Sequence, residues 1–326
     1  MASGVRFSMI NQTSTTGNMP TTAAVTYTQG VNAPGGPVEY FMLHNSMTFG
    51  GDPCSADFGN LISTLRIILN GEVVFDFRAG YAANDNDGPS IFNAFLNSIG
   101  GRAYEDPSGT TTRDYWAAIP LGRQTPAGVN RYEVVIGYAA TAAGATITSG
   151  TSEFWLQMNP AMQKTTTVCP STSFTHSASI EQVIVKVPQN APAGSVVSAI
   201  LVQNDSAADQ FGTQGIRINA LSDFGMQQGM SRFLNGDWAN GIKYADAGTS
   251  AASQLFSYQV KGMLVLPSYG LTGGDVVLQV DSSAATTRTY TPILTTSVGA
   301  KSAPETRQTQ SAPGNTAQSI LSRTLE

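Results

Sequence analysis

Apolar residues recur at every second position through most of the chain, bounded by turn residues, and this period predicts strands with one face in a core. In Glu72 to Arg78 the apolar Val73, Phe75 and Phe77 alternate with Glu72, Val74, Asp76 and Arg78, placing the carboxylates on a solvated face. The run Leu65 to Leu69 meets this segment across Asn70-Gly71, a dipeptide that tolerates positive φ at both corners of a type I′ turn, so a β-hairpin is predicted. Further alternating sets are Tyr132, Val134, Ile136 and Tyr138; Phe154, Leu156 and Met158; Val183, Val185 and Val187; and Val276, Leu278 and Val280. Helical spacing marks two short segments between the polar ends, with a further short helix possible at Ala317 to Leu321. Ser90 caps Ile91, Phe92, Phe95, Leu96 and Ile99 ahead of Gly100-Gly101, and Ser222 or Asp223 precedes Met226, Met230, Phe233 and Leu234 ahead of Asn235-Gly236.

The two halves repeat one order of elements. Leu65 to Leu69, Val73 to Phe77, the first helix, Tyr115-Trp116, Ile119-Pro120-Leu121-Gly122 and Tyr132 to Tyr138 are answered by Ala199 to Val202, Ile216 to Ile218, the second helix, Phe256 to Tyr258, Leu266-Pro267-Ser268-Tyr269-Gly270 and Val276 to Val280. A duplicated architecture and a chance likeness between two β-rich halves both account for this order. The expected fold is all-β: two tandem eight-stranded jelly rolls, each with a short inserted helix. Residues 37–165 form the first and 166–300 the second. Polar stretches rich in Ser, Thr, Asn and Gln are expected to be arms, an N-terminal one over 1–36 and a C-terminal one over 301–326.

Composition narrows the function. Only 12% of residues are charged while 41% are hydrophobic, so small neutral polar groups hydrate the surface, as in Gln12 to Thr16 and Lys164 to Thr167. Such a surface costs little to desolvate and suits contact with further copies of the chain. A net charge of −5 with 17 Lys and Arg leaves no basic stripe for a phosphate backbone, so no direct nucleic-acid binding is expected. No basic-then-apolar leader stands at Met1 to Ile10 and no apolar run reaches membrane-span length, so synthesis in the cytoplasm is expected. Cys54 and Cys169 lack metal-ligand spacing; they are read as buried free thiols, with a disulfide between them as the other state.

On these features (paired barrels over about residues 37–300, helices at Ile91 to Ile99 and Met226 to Leu234, and polar ends) the chain resembles the double jelly-roll major capsid proteins of tailless icosahedral bacteriophages with an internal membrane. The resemblance implies a virion shell protein whose trimers form pseudo-hexagonal capsomers. It also implies contacts with neighbouring capsomers, with penton or minor capsid proteins, and with the membrane beneath.

Residues that could carry chemistry are few. His44 and His176 stand 132 residues apart in the sequence, which leaves little material for a Ser-His-Asp triad or a multi-histidine metal site. Both are read as structural or interface residues. Glu72, Asp76, Glu133 and Glu153 could in principle pair as a glycosidase dyad, but alternation puts them on solvated faces. Trp116, Trp155 and Trp238 could stack on sugars, so a carbohydrate-binding sandwich is the alternative function. Asn84 to Gly88 is oxygen-rich, yet an EF-hand alignment places Ala83 and Ala94 at its two ends; a weak calcium site and a turn leading into the Ser90 cap are the two readings. No catalytic residue, cofactor or metal ligand is assigned.

Overall fold

The computed structural model describes residues 4–14, 25–50, 58–79, 91–105, 112–138, 146–188, 194–204, 211–218, 263–272 and 274–297. The first barrel is two facing sheets. One runs in the order β1 (Arg6–Ser14), β9 (Thr146–Met158), β3 (Pro37–Gly50), β7 (Thr112–Gln124), β6 (Arg102–Glu105). The other runs β2 (Val25–Pro34), β8 (Val129–Tyr138), β4 (Ile62–Leu69), β5 (Glu72–Arg78). The chain changes sheets at almost every connection, the wrapping that defines a jelly roll. The exceptions are the β6–β7 connection, whose strands pair within the first sheet, and the β4–β5 hairpin, where Asn70 and Gly71 have φ of 51° and 87° as a type I′ turn requires. A short helix, α1 (Phe58–Leu61), precedes β4, and α2 (Ile91–Ser98) follows β5. Phe92 and Phe95 of α2 pack against Phe77 with ring centroids 5.1 and 5.2 Å apart, closing the core. Gly100, at φ 85°, and the Gly101 amide bonded to the Leu96 carbonyl end the helix.

The second barrel repeats this order. β10 (Lys164–Val168) and β11 (Thr172–His176) both pair with β17 (Thr286–Ser297), followed by β13 (Val196–Asn204) and β15 (Met263–Thr272). The facing sheet is β12 (Ile180–Val185), β16 (Val276–Ser282), β14 (Phe211–Ile218). β13 therefore answers β3, β14 answers β4, β15 answers β7 and β16 answers β8. The register anchors the match: Pro120 pairs with Tyr40 just past a bulge after Val38, and Pro267 pairs with Ala199 just past a bulge after Val197, with one residue more on β15 than on β7 across the bulge. The equivalence of Pro120 and Pro267 thus holds in space. The pairing of the earlier elements does not, since Ala199 to Val202 corresponds to β3 rather than to Leu65 to Leu69, and Ile216 to Ile218 to β4. The second expected helix, the Phe256 to Tyr258 strand and residues 301–326 lie outside the described residues.

The expectation of an arm over residues 1–36 is overturned. β1 pairs along β9 and β2 along β8, so both belong to the first barrel. They are edge strands with little apolar content, and Tyr27, Val31 and Ala33 supply most of what β2 buries. The crossover between barrels is the short stretch between Met158 and Lys164.

The barrels share a seam. β10 lies against β5 and β7 of the first barrel. Arg123 donates from Nη2 to Thr167 Oγ1 at 2.7 Å, and Thr165 donates from Oγ1 to the Gly122 carbonyl at 2.5 Å. A Cβ at Gly122, whose φ is 60°, would collide with the Lys164 carbonyl. The Lys164 to Thr167 run expected at the surface is consequently a seam strand, with Thr165, Thr166 and Thr167 buried. β5 is buried on both faces for the same reason, and Asp76, expected in solvent, is 2% exposed.

Candidate functional site

Among the described residues, the outer face of the β1-β9-β3-β7-β6 sheet gathers those with the most chemistry. On β3 the side chains of Val38, Phe41, Leu43, Asn45 and Met47 enter the core, which turns Met42 and His44 outward. Strand register then lines Glu153 on β9, His44 on β3, Trp116 on β7 and Tyr104 on β6 into one row, with Met9, Trp155, Met42 and Ala118 in the adjacent row. His44 lies flat on Trp116, with centroids 3.9 Å apart and planes at 10°. Its Nδ1 is 3.0 Å from Glu153 Oε2 and its Nε2 is 3.4 Å from Asp114 Oδ1. Trp155 Nε1–H donates to the same Glu153 oxygen at 2.9 Å. The hydrogen bond from His44, aided by that from Trp155, holds the Glu153 carboxyl below its ordinary range.

The two carboxylates grip opposite ring nitrogens, so they immobilise the imidazole and do not converge on a common point. A metal ion or a nucleophile would need such a point. Around this clamp lie Phe7, Met9 and Tyr104, which are 59%, 48% and 62% exposed. The arrangement is a stiff, partly apolar face with fixed charge at its centre, suited to docking rather than turnover.

The other expected positions do not join it. His176 is buried in the second barrel, its Nδ1 3.1 Å from Glu181 Oε2 and its Nε2 2.7 Å from the Tyr290 hydroxyl. Burial, and then repulsion from Arg288, lower its pKa. Glu72 is bound to Arg123 at 3.1 Å and Asp76 to Arg66 at 2.9 Å, both beside the seam. Glu133 stands on β8, between the core residues Tyr132 and Val134, in the sheet opposite Glu153. Glu153 therefore stands in the other sheet from Glu72, Asp76 and Glu133. Cys169 is a buried free thiol, pushed up to about 12 by burial. Cys54, Trp238 and Asn84 to Gly88 lie outside the described residues. Trp116 and Trp155 are outward residues rather than core packing; alternation with Tyr115 and with Phe154 carries that signal, but only strand register brings the pair to His44.

No family model matches the chain, and no curated protein matches it either. Solved structures do. The major capsid protein of Sulfolobus turreted icosahedral virus aligns with a TM-score of 0.51 at 10% identity, over 90% of this chain and 97% of that one. An atomic structure of the same virus contributes a chain at 0.51 and 8% identity, covering 90% of each. The major capsid protein of bacteriophage PM2 gives 0.46 at 12% identity, over 91% of this chain and 99% of that one. With two barrels of one strand order joined by a buried seam, the chain has the double jelly-roll fold of icosahedral-virus major capsid proteins.

Proposed function

We propose that the chain is a structural shell protein of an icosahedral virion, with three copies forming a pseudo-hexagonal capsomer. The observation that carries this reading is the presence, within one chain, of two barrels with the same strand order and a proline just past the same bulge, packed side by side. Two such lobes repeated three times give six similar lobes, which can fill the hexagonal positions of a closed lattice. The low charge of the chain fits extensive self-contact, and among the described residues the most chemically equipped cluster is a clamped one with no point of convergence. The shell would engage penton or minor capsid proteins at its vertices and, as the resemblance implies, a membrane beneath it, after synthesis in the host cytoplasm. No enzymatic activity or cofactor belongs to this role.

The rival reading, a carbohydrate-binding sandwich, is favoured by one observation, the outward Trp116, Trp155 and Tyr104. Sugar stacking needs a free ring face, and His44 already occupies one face of Trp116. Expression of the chain followed by electron microscopy tests the proposal. Hexagon-shaped particles or closed shells are expected, whereas a dispersed monomer with saturable glycan binding would support the rival.

A further inference from the structure

An asparagine followed by glycine can react with its own backbone, because glycine presents the next nitrogen with no side chain in the way. The chain contains three such pairs, Asn70-Gly71, Asn235-Gly236 and Asn240-Gly241. The last two lie outside the described residues. Asn70-Gly71 is the turn of the β4–β5 hairpin; both residues are exposed to water, and a Cβ at Gly71 would meet nothing within 4 Å. Solvent and space for reaction are therefore present.

What this amide lacks is freedom. Asn70 Nδ2 donates to Asn130 Oδ1 at 2.9 Å, and Asn70 Oδ1 accepts from the Arg131 amide at 2.9 Å. The Asn70 backbone amide donates to the Arg131 carbonyl, also at 2.9 Å. Asn130 is in no position to follow a moving partner, since it is 2% exposed and its own Nδ2 donates to the Pro126 carbonyl at 2.9 Å. The loop that carries this carbonyl is tied down as well, by the Gly35 amide donating to the Gly128 carbonyl at 2.8 Å. Both ends of the Asn70 carboxamide are thus pinned to the start of β8.

We propose that Asn70 is a latent self-modification site, held unreacted by Asn130 and Arg131 and released when this corner of the first barrel opens. In the reaction the Gly71 nitrogen bonds to Asn70 Cγ, the Cγ–Nδ2 bond breaks, and ammonia leaves with the proton of the Gly71 amide. Water then opens the resulting succinimide at either carbonyl, giving aspartate or isoaspartate. Ring closure has to turn a face of Cγ onto the Gly71 nitrogen, which draws Oδ1 and Nδ2 away from their partners on β8. The products cannot restore the clip. An aspartate oxygen in place of Nδ2 sets acceptor against acceptor at Asn130 Oδ1, and isoaspartate adds a carbon to the backbone of a two-residue turn. Either change loosens the hairpin that brings Phe75 and Phe77 to the core and Asp76 to the seam. The chemical state of residue 70 therefore records whether the first barrel of a given chain has opened, whatever the protein's role in a shell.

Incubating the purified chain at mildly alkaline pH, folded or in guanidinium chloride, tests this by mass spectrometry of the three Asn-Gly peptides. Unfolded, all three should react at similar rates; folded, Asn70 should be slower by ~30-fold or more, the effect of two hydrogen bonds on a rate. Asn130→Ala, with circular dichroism showing a folded chain, should speed reaction at Asn70 by ~5-fold or more through loss of one of them. Val129→Glu, at a neighbouring side chain that is 78% exposed and outside the clip, should react as slowly as the wild type. A measurement that needs no variant is hydrogen exchange of the Arg131 amide below the unfolding transition, which should rise in step with deamidation as guanidinium is added. A folded wild type that reacts at the unfolded rate, a folded Asn130→Ala variant no faster than wild type, or deamidation that accelerates while the Arg131 amide stays protected would each overturn the proposal. So would a Val129→Glu variant as fast as Asn130→Ala, since general loosening of the loop would then suffice.

Discussion

The two barrels of this chain share a strand order, a proline and a bulge, yet they fill their interiors differently. The first is packed with rings: Phe75 against Phe95 at 6.0 Å, Phe77 against Phe92 at 5.1 Å and Phe41 against Phe154 at 5.7 Å. The buried cluster of the second is mostly aliphatic among the described residues, with Val183, Val202, Leu278 and Val280 around Tyr290. It also encloses a guanidinium, since Arg288 is fully buried and donates to Asn204 Oδ1 at 2.8 Å and to Ser282 Oγ at 2.6 Å. Core side chains can be exchanged provided that volume and pattern are kept. The bulge after the first residues of β3 and β13 instead sets which residues of each strand turn away from its own core, so it holds the architecture while the filling drifts.

The largest effect expected is in the ring-packed barrel. Phe75→Asp would bury a carboxylate among aromatic rings and should leave no folded chain, checked by circular dichroism and solubility. A stable Phe75→Asp variant would mean that β5 presents its other face to the core.

Gly122→Ala should cost about 3 kcal/mol in urea unfolding, because the residue has positive φ and its Cβ would meet the Lys164 carbonyl. A neutral Gly122→Ala would show that β10 does not press on this position of β7.

Asp76→Asn should cost about 2 kcal/mol, since it removes the charge that Arg66 meets at 2.9 Å on a buried strand. A neutral result would argue that the seam leaves β5 hydrated.

The smallest effect is a difference in pH response. Burial lowers the His176 pKa, so folding favours the neutral imidazole; the stability this represents is present above the ordinary value of about 6.5 and is lost as pH falls through the lower, folded value. Melting of the second barrel should fall over that window, and His176→Gln should flatten the profile. An unchanged profile would show that protonated His176 is accommodated by Glu181.

How far the sequence reveals this follows from how each strand is covered. The Asn70-Gly71 hairpin, the α2 face and the alternation in β8 and β16 were readable because each has one core face and one solvated face. β1 and β2 were not, since edge strands rich in Thr, Asn and Gln bury few apolar groups. Val74 and Asp76 misled for the opposite reason: a second layer covers the face that alternation assigns to solvent, and nothing local in β5 encodes that layer. The clamp around His44 was hidden as well. Its members come from β3, β7 and β9, and only pairing register brings Asp114, Trp116 and Glu153 to one imidazole.

The measurement that bears most directly on the account is the solution mass of the purified chain by light scattering across concentration. Three times the 34.2 kDa of one chain, held on dilution and seen in projection as a closed ring of six lobes, is the predicted result. A stable single-chain mass, or a particle with twofold rather than threefold symmetry, would contradict it.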